Sequence, residues 1–236
     1  MKRVGNEEFR RQWLQATLAA VPSGSKLLDV GAGECQYKAF CSHLDYVSQD
    51  FNIYTGASNN SGLHMEKWDT SQIDIVCDLL DIPETTQYDV VLCTEVLEHV
   101  PDPVRALEKI SRLVKEGGSM IITAPFCSLT HFAPFHYATG LSRYFYQHHL
   151  DRLGFAIEEM RPNGGFFDYL DQELSRTSSV KKQYAHNRLS PLERLIIKLA
   201  GRTMRKIASR DGPREERASA DLLTFGWHVR ARSVRN

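Results

Sequence analysis

The sequence predicts an α/β fold, a doubly wound, mostly parallel sheet of seven strands (a Rossmann-like arrangement) with a helical insertion before the last strand. Two observations support this. Short apolar runs alternate with helical periodicities through the first two thirds of the chain, as in βαβ units. The run Tyr88–Thr94 is almost continuously apolar, as in a parallel strand buried on both faces. With 236 residues and 42% hydrophobic content, the chain can build a core of this kind.

The stretch Lys26–Lys38, which reads KLLDVGAGECQYK, combines the first strand with a glycine turn. Gly31 and Gly33 remove side chains where the backbone can approach a ligand, and a helix is expected to begin near Glu34. An ordinary strand–helix turn would give the same glycine pair, so other residues must decide.

Two features of this turn favour a cationic ligand. The third glycine of a dinucleotide fingerprint would fall at Tyr37, and it is absent. Asp29 stands two residues before the first glycine, where a carboxylate would repel a pyrophosphate. The same carboxylate suits a positively charged group, such as the amino group of S-adenosylmethionine.

Acidic residues also follow the second and third predicted strands. Asp50, with Phe51 beside it, lies about 20 residues after the glycines, where an acid can accept hydrogen bonds from both ribose hydroxyls. A plain turn aspartate is the alternative. Asp78 can accept a hydrogen bond from an adenine amine, while Leu79 offers apolar surface to the ring. Asp81 is expected to cap the next turn.

The fourth strand leads into the segment EVLEHVPDP. Asp102 is expected to cap a helix over Pro103–Val114, with proline at its first position. Gly117 and Gly118 are expected to end this helix before the fifth strand begins.

Five motifs in order, LLDVGAG, Asp50, CDLLDIP, YDVVLCTEVLEHVPDP and GGSMIITAPF, resemble class I S-adenosylmethionine-dependent methyltransferases. The nearest group carries the EVLEHV.DP signature. The family pattern has a third glycine where this chain has Cys35. The resemblance implies S-adenosylmethionine as cofactor and S-adenosylhomocysteine as its product. It also implies cofactor contacts from Asp29, Gly31, Ala32, Gly33, Asp50, Phe51, Asp78, Leu79, Thr94 and Glu95.

The segment after the fifth strand, Ala124–Phe155, is dense in histidine, phenylalanine and tyrosine and lies where an acceptor must enter. A hydroxyl acceptor must lose a proton, and histidine suits that near neutral pH. His136 and His131 are therefore the catalytic candidates, with orientation of the acceptor or simple lid packing as alternatives. No metal site is expected, because both lack an acidic partner in a metal-ligand pattern and because His148 and His149 diverge on a predicted helix.

An insertion is expected because a long segment separates the sixth strand, Phe155–Met160, from a seventh strand at Leu222–Ser233. We predict a methyltransferase core over 1–161 and 222–236 and a helical insertion over 162–221.

The insertion is expected to hold one helix near Phe166, a loose polar stretch over Ser175–Asn187, and a second helix that begins at Ser190 and Pro191. The second helix, roughly 191–210, is amphipathic and basic. Packing on the core is one interpretation, an anionic membrane surface is another, and RNA contact is a third.

Charge and cysteine usage limit the partners. Net charge is formally zero, which gives no whole-chain argument for nucleic acid, although the part from Asp171 onward holds 15 Lys and Arg against 7 Asp and Glu. The five cysteines form no CxxC pair, which predicts free thiols in a reducing compartment. No signal peptide or membrane-spanning run is visible, so a cytoplasmic location is expected, with peripheral membrane contact as the variant.

The predicted function is methyl transfer from S-adenosylmethionine, to oxygen on a small molecule or a saccharide, lipid-linked acceptors included. Methylation of RNA or protein is the alternative enzyme function. A regulatory protein that binds the cofactor without catalysis is the alternative from another class. The sequence leaves the acceptor and the oligomeric state open.

Overall fold

The structure, a computed structural model, describes residues 5–53 and 69–235. Its described part contains a seven-stranded sheet of order β3-β2-β1-β4-β5-β7-β6. The strands are Lys26–Val30 (β1), Asp45–Asp50 (β2), Ile75–Val76 (β3), Tyr88–Thr94 (β4), Val114–Pro125 (β5), Phe155–Pro162 (β6) and Gly226–Ser233 (β7). Strands β1 to β5 pair in parallel, and β7 runs antiparallel to β5. The predicted doubly wound, mostly parallel sheet is therefore confirmed.

The α-helices of the described residues are Asn6–Ala19 (α1), Pro103–Leu113 (α2), Arg143–Arg152 (α3), Phe166–Tyr184 (α4) and Pro191–Ala208 (α5). The N-terminal caps of α2 and α5 are those expected from the sequence. Asp102 accepts a hydrogen bond from the Arg105 backbone N–H at 3.0 Å. Ser190 accepts one from the Glu193 N–H at 3.3 Å.

Both faces of the sheet are buried. Alternate residues of a strand point to opposite faces, so Leu28 packs in one apolar cluster and Leu27 in the other. Leu107 and Ile110 of α2 join the first cluster, while Leu14 of α1 joins the second. Each fully buried leucine contributes about 1.5–3 kcal/mol to the free energy of folding. These helices fix the sheet whose carboxyl edge carries the candidate site.

The helix expected near Glu34 is absent. Turns follow β1, and a short 3-10 helix spans Lys38–Cys41. Gly31, Gly33 and Cys35 all have positive φ, between 55° and 68°, and an α-helix requires negative φ. Cys35, the residue in place of the family's third glycine, adopts the left-handed conformation that glycine favours.

Other boundaries also differ from expectation. Helix α2 ends at Leu113, since Val114 is already extended, and Gly117 and Gly118 lie within β5. Strand β7 begins at Gly226.

The stretch expected to be loose, Ser175–Asn187, is helical as far as Tyr184. Its hydroxyl side chains bond to backbone carbonyls one turn back, as Ser175 does to Asp171 at 2.8 Å and Thr177 to Glu173 at 3.0 Å. These bonds satisfy the polar side chains without breaking the helix.

Within its described residues the chain divides into two compact units. One lies within 10–160 and 226–235 and holds most of the sheet. The other lies within 5–9 and 161–225 and is dominated by α4 packed on α5. A search of the described residues for a helix long and apolar enough to cross a membrane found none.

Candidate functional site

The register of the sheet brings three predicted site positions to one edge. Val30, the last residue of β1, pairs with Gln49 of β2 and with Cys93 of β4. The next residues along these three segments are Gly31, Asp50 and Thr94, so they lie together where the parallel strands end.

Gly31 is required by packing at this edge. Its φ is +68°, and a Cβ at this position would lie 2.4 Å from Cγ2 of Val96. A larger residue would therefore be strained in backbone and in space. The sequence predicts a close ligand approach at this glycine, whereas in the structure the neighbour that requires a small residue is Val96.

Asp29 has the environment expected of a ligand for a cationic group. It is 1% exposed, and its Oδ2 accepts a hydrogen bond from the Tyr46 hydroxyl at 2.6 Å. Its Oδ1 is buried without a hydrogen-bond partner in the described residues. Burial raises the pKa of Asp29 to about 7, with the Tyr46 hydroxyl opposing the shift and the Asp50 charge adding to it. A bound ammonium would satisfy Oδ1 and restore the charged carboxylate, so the residue fits the amino group of S-adenosylmethionine.

Asp50 closes the glycine turn from the neighbouring strand. One carboxylate oxygen accepts from the Gly33 N–H at 3.0 Å and the other from the Asn52 N–H at 2.9 Å. Each oxygen keeps a second lone pair, so both can also accept from a ribose.

Gln49, which the sequence analysis missed, anchors the same turn. It accepts from the Gly31 N–H at 3.3 Å and donates to the Cys77 carbonyl at 2.8 Å. The sequence feature that could have identified Gln49 is a polar residue inside an otherwise buried strand, directly before the acid that ends it.

Asp78 and Leu79 serve the turn after β3. Asp78 accepts from the Leu80 N–H at 2.8 Å and so caps the 3-10 helix Leu79–Asp81, the role expected of Asp81. Leu79 is buried in the core. Contact of either residue with adenine stays a prediction.

Glu95 is held in a strained conformation just past β4. Its φ is 54°, which a residue with a side chain rarely adopts. Its carboxylate pairs with Arg10 at 2.7 Å and accepts from the Thr123 hydroxyl at 2.9 Å. Arg10 is a second residue that the sequence analysis missed, because its partner lies 85 positions away.

Four residues form what we call the histidine cluster: Glu98, His99, His131 and His136. The ring centroid of His131 lies 4.7 Å from that of His99 and 4.8 Å from that of His136. Glu98 Oε1 lies 3.6 Å from Nε2 of His99 and 3.7 Å from Nε2 of His131. The expectation that His131 lacks an acidic neighbour is therefore wrong, since 33 residues separate it from Glu98.

The cluster adjoins the edge of the sheet where Gly31, Asp50 and Thr94 lie together, which we call the cofactor edge. The Glu98 carbonyl accepts from the Tyr137 and Ala138 N–H groups, which ties the loop between β5 and α3 to the segment after β4. Phe51, directly after Asp50, packs edge-on against Phe135 with ring centroids 5.4 Å apart. The two catalytic candidates and the ribose candidate thus lie on adjoining segments.

Burial sets the charge of the cluster. It lowers the pKa of His99 to about 3 and lowers the pKa of His136, so both rings are neutral at pH 7. Burial also raises the pKa of Glu98. Burial opposes protonation of His131, yet the Glu98 carboxylate and the Leu129 carbonyl raise the pKa of that ring.

The sheet order, the glycine turn and the acid that ends β2 define a class I S-adenosylmethionine-dependent methyltransferase fold. The family model described as methyltransferase domain matches residues 5–176. The chain belongs to this family, and the class and cofactor expected from the sequence are confirmed.

Curated relatives match a shorter part of the chain. A ubiquinone biosynthesis O-methyltransferase of Paraburkholderia phytofirmans is 33% identical over 112 residues, or 47% of each chain. One of Leptothrix cholodnii is 29% identical over 122 residues, covering 49% of this chain and 50% of the relative. The chain spans about half the length of the curated relatives it matches.

Solved structures share the fold at low identity. A SAM dependent methyltransferase from Archaeoglobus fulgidus has a TM-score of 0.54 at 16% identity and covers 97% of both chains. The [4+2]-cyclase SpnF also has a TM-score of 0.54 at 16% identity, covering 99% of this chain and 84% of its own. Since the second carries the name of a different reaction, the fold alone leaves the activity open.

Proposed function

We propose that this chain transfers a methyl group from S-adenosylmethionine to a hydroxyl oxygen of a small molecule or saccharide, lipid-linked acceptors included. The observation that carries the proposal is the histidine cluster beside the cofactor edge. The relatives named as ubiquinone biosynthesis O-methyltransferases support oxygen as the acceptor atom and a small molecule as its carrier.

Bound S-adenosylmethionine supplies a methyl group on a positively charged sulfur and leaves as S-adenosylhomocysteine. The oxygen–methyl bond forms as the sulfur–methyl bond breaks, and the hydroxyl proton must leave the acceptor. His136 is neutral at pH 7 because burial lowers its pKa, and Glu98 lies next to His131. The cluster therefore contains groups that can accept this proton.

The test is transfer of a labelled methyl group from S-adenosylmethionine to extracts fractionated into small molecules, glycans, lipids, RNA and protein. Label in the small-molecule, glycan or lipid fractions supports the proposal, and chemical cleavage then identifies the methylated atom. Label in RNA or protein supports the alternative enzyme function. Cofactor binding without label in any fraction supports a regulatory protein. The double variant His131→Ala/His136→Ala, which leaves the glycine turn intact, is the matched inactive control.

We further propose that α5 contacts an anionic membrane surface. Leu192, Leu195, Ile196 and Leu199 are each at least half exposed, although they are large and apolar. Lys198, Arg202 and Lys206 are also exposed and recur every four residues beside this stripe. Such a helix can place apolar side chains among lipid headgroups while its cations meet lipid charge.

Sedimentation with anionic liposomes tests this contact. Binding at low salt and release at high salt are expected, because the attraction is screened over about 8–10 Å. The triple change of Lys198, Arg202 and Lys206 to Glu should abolish binding. Arg205 is left in place since it pairs with Asp171 of α4. Absence of binding at any salt concentration would contradict the proposal.

A further inference from the structure

The histidine cluster has the composition and orientation of a metal site. One donor nitrogen from each of His99, His131 and His136 lies within 4.8 Å of the other two. Two nitrogens bound to one zinc-sized ion lie at most about 4.2 Å apart, since each bond is 2.0–2.1 Å. Small rotations of the rings would therefore bring three nitrogens to one ion.

Backbone carbonyls orient two of these rings. Nδ1 of His99 is hydrogen-bonded to the Phe135 carbonyl, and Nδ1 of His131 to the Leu129 carbonyl at 2.9 Å. A carbonyl only accepts, so in each neutral ring Nδ1 carries the hydrogen and Nε2 presents a lone pair. This is the arrangement by which proteins fix metal-binding histidines.

Nε2 of His99 and Nε2 of His131 both lie beside a buried carboxylate, that of Glu98. Glu98 is 0% exposed, and both of its side-chain oxygens lack a hydrogen-bond partner among the described residues. Nε2 of His99 and Nδ1 of His136 are buried and equally unpartnered within that part of the chain. Buried acceptors that converge without a donor are costly, and either a proton or a cation must lie between them.

We propose that His99, His131 and His136 bind a divalent transition-metal ion, with the Glu98 carboxylate as a fourth donor or as the charge that balances it. Three imidazoles and one carboxylate favour Zn²⁺, Co²⁺, Mn²⁺ or Fe²⁺ over Mg²⁺ and Ca²⁺, which prefer all-oxygen sites. The sequence-based expectation of no metal depended on a missing acidic partner, and Glu98 supplies that partner.

The role of this metal site in catalysis rests on the proposed methyl transfer, whereas metal binding itself does not. A cation at the cluster would lie beside the cofactor edge of the sheet, and a hydroxyl bound to a cation loses its proton at a lower pH. The three histidines would then act as ligands, and the proton would leave to Glu98 or to solvent.

The test uses the full chain, freed of metal by a chelator and titrated with Co²⁺ followed by Zn²⁺. We expect one Co²⁺ per chain with the intense visible absorption of a low-coordinate nitrogen and oxygen site, and its displacement by one equivalent of Zn²⁺. An equal concentration of Mg²⁺ should displace neither. This readout requires no acceptor, so it remains informative if the proposed methyl transfer fails.

Single variants assign the ligands. His131→Ala and His136→Ala should each weaken Co²⁺ binding by more than about a hundredfold, and Glu98→Gln by about ten- to a hundredfold. His148→Ala, an exposed histidine of α3, should bind as the parent does. At His99 the substitution is His99→Gln, because the glutamine amide keeps a donor for the Phe135 carbonyl. Circular dichroism with thermal melting checks that each variant folds.

Two results would overturn the metal site. One is the absence of stoichiometric Co²⁺ or Zn²⁺ binding to the folded parent. The other is binding that folded His131→Ala and His136→Ala retain at the parent's affinity. Methyl transfer that persists without metal would then show that a base of the cluster accepts the proton without a cation.

Discussion

Two buried acids on adjoining segments of this chain, Asp50 and Glu98, differ in the hydrogen bonding of their carboxylates. Asp50 at the cofactor edge is 4% exposed and accepts two backbone hydrogen bonds. Glu98 in the histidine cluster is 0% exposed, and neither of its carboxylate oxygens has a hydrogen-bond partner among the described residues. The first carboxylate is held by the backbone of the glycine turn, so its position is set by the fold. The side chain of Glu98 has no such bond, and this difference is the basis of the acceptor and cation proposals above.

The largest effect is expected at the cluster. His136→Ala and His131→Ala should each lower turnover by about two to four orders of magnitude, because either a base or a metal ligand is lost. The affinity for S-adenosylmethionine, measured by calorimetric titration, should stay level. His148→Ala is the control and should leave both quantities unchanged. Equal activity in a variant and the parent would make that histidine structural.

At the cofactor edge the opposite pattern is expected. Asp50→Ala should weaken S-adenosylmethionine binding by about 1.5–3 kcal/mol, the contribution of a hydrogen bond to a charged group. Asp45→Ala, at the exposed start of the same strand, is the matched control. An unchanged dissociation constant in folded Asp50→Ala would remove Asp50 from the ribose site.

Gly31 is required both by its positive φ and by the close approach of Val96, and these two requirements can be separated experimentally. Gly31→Ala should lower the free energy of unfolding by about 1–3 kcal/mol, because of both the φ of +68° and the contact with Val96. Gly24→Ala has a φ of +80° with nothing within 4 Å, so it reports the backbone cost alone. Adding Val96→Ala should recover part of the loss in Gly31→Ala and none in Gly24→Ala, as chemical denaturation would show.

The remaining prediction is a dependence of stability on pH. The pKa of Asp29 is about 7 in the fold, above the ordinary value of about 3.9, so the folded state holds the extra proton between these limits. Its contribution to stability is therefore greatest below about pH 4 and is lost as the pH rises to 7. Asp29→Asn should remove a slope of about 1.4 kcal/mol per pH unit from the denaturation free energy. A slope identical to the parent's would show that Asp29 titrates normally.

Local patterns predicted much of the framework. The apolar runs, the caps Asp102 and Ser190 and the glycine pair identified the strands, two helix starts and the turn at the cofactor edge. The same local rules failed at two places. The helix expected at Glu34 is replaced by turns, because Gly31, Gly33 and Cys35 take positive φ. The stretch expected to be loose is helical from Ser175 to Tyr184, where its hydroxyls find partners within the helix itself.

By itself, the sequence determined the class of fold, the family and which residues carry charge or imidazole at the ends of the strands, because hydrophobic periodicity and turn chemistry act over a few residues. Only the tertiary structure decided which of these groups meet. Arg10 reaches Glu95, and Glu98 comes within 3.7 Å of His131, across separations that no local pattern encodes. The same assembly fixed the charge of each group, since the pKa values of Asp29 and His99 are shifted chiefly by burial, which exists only once the chain has packed.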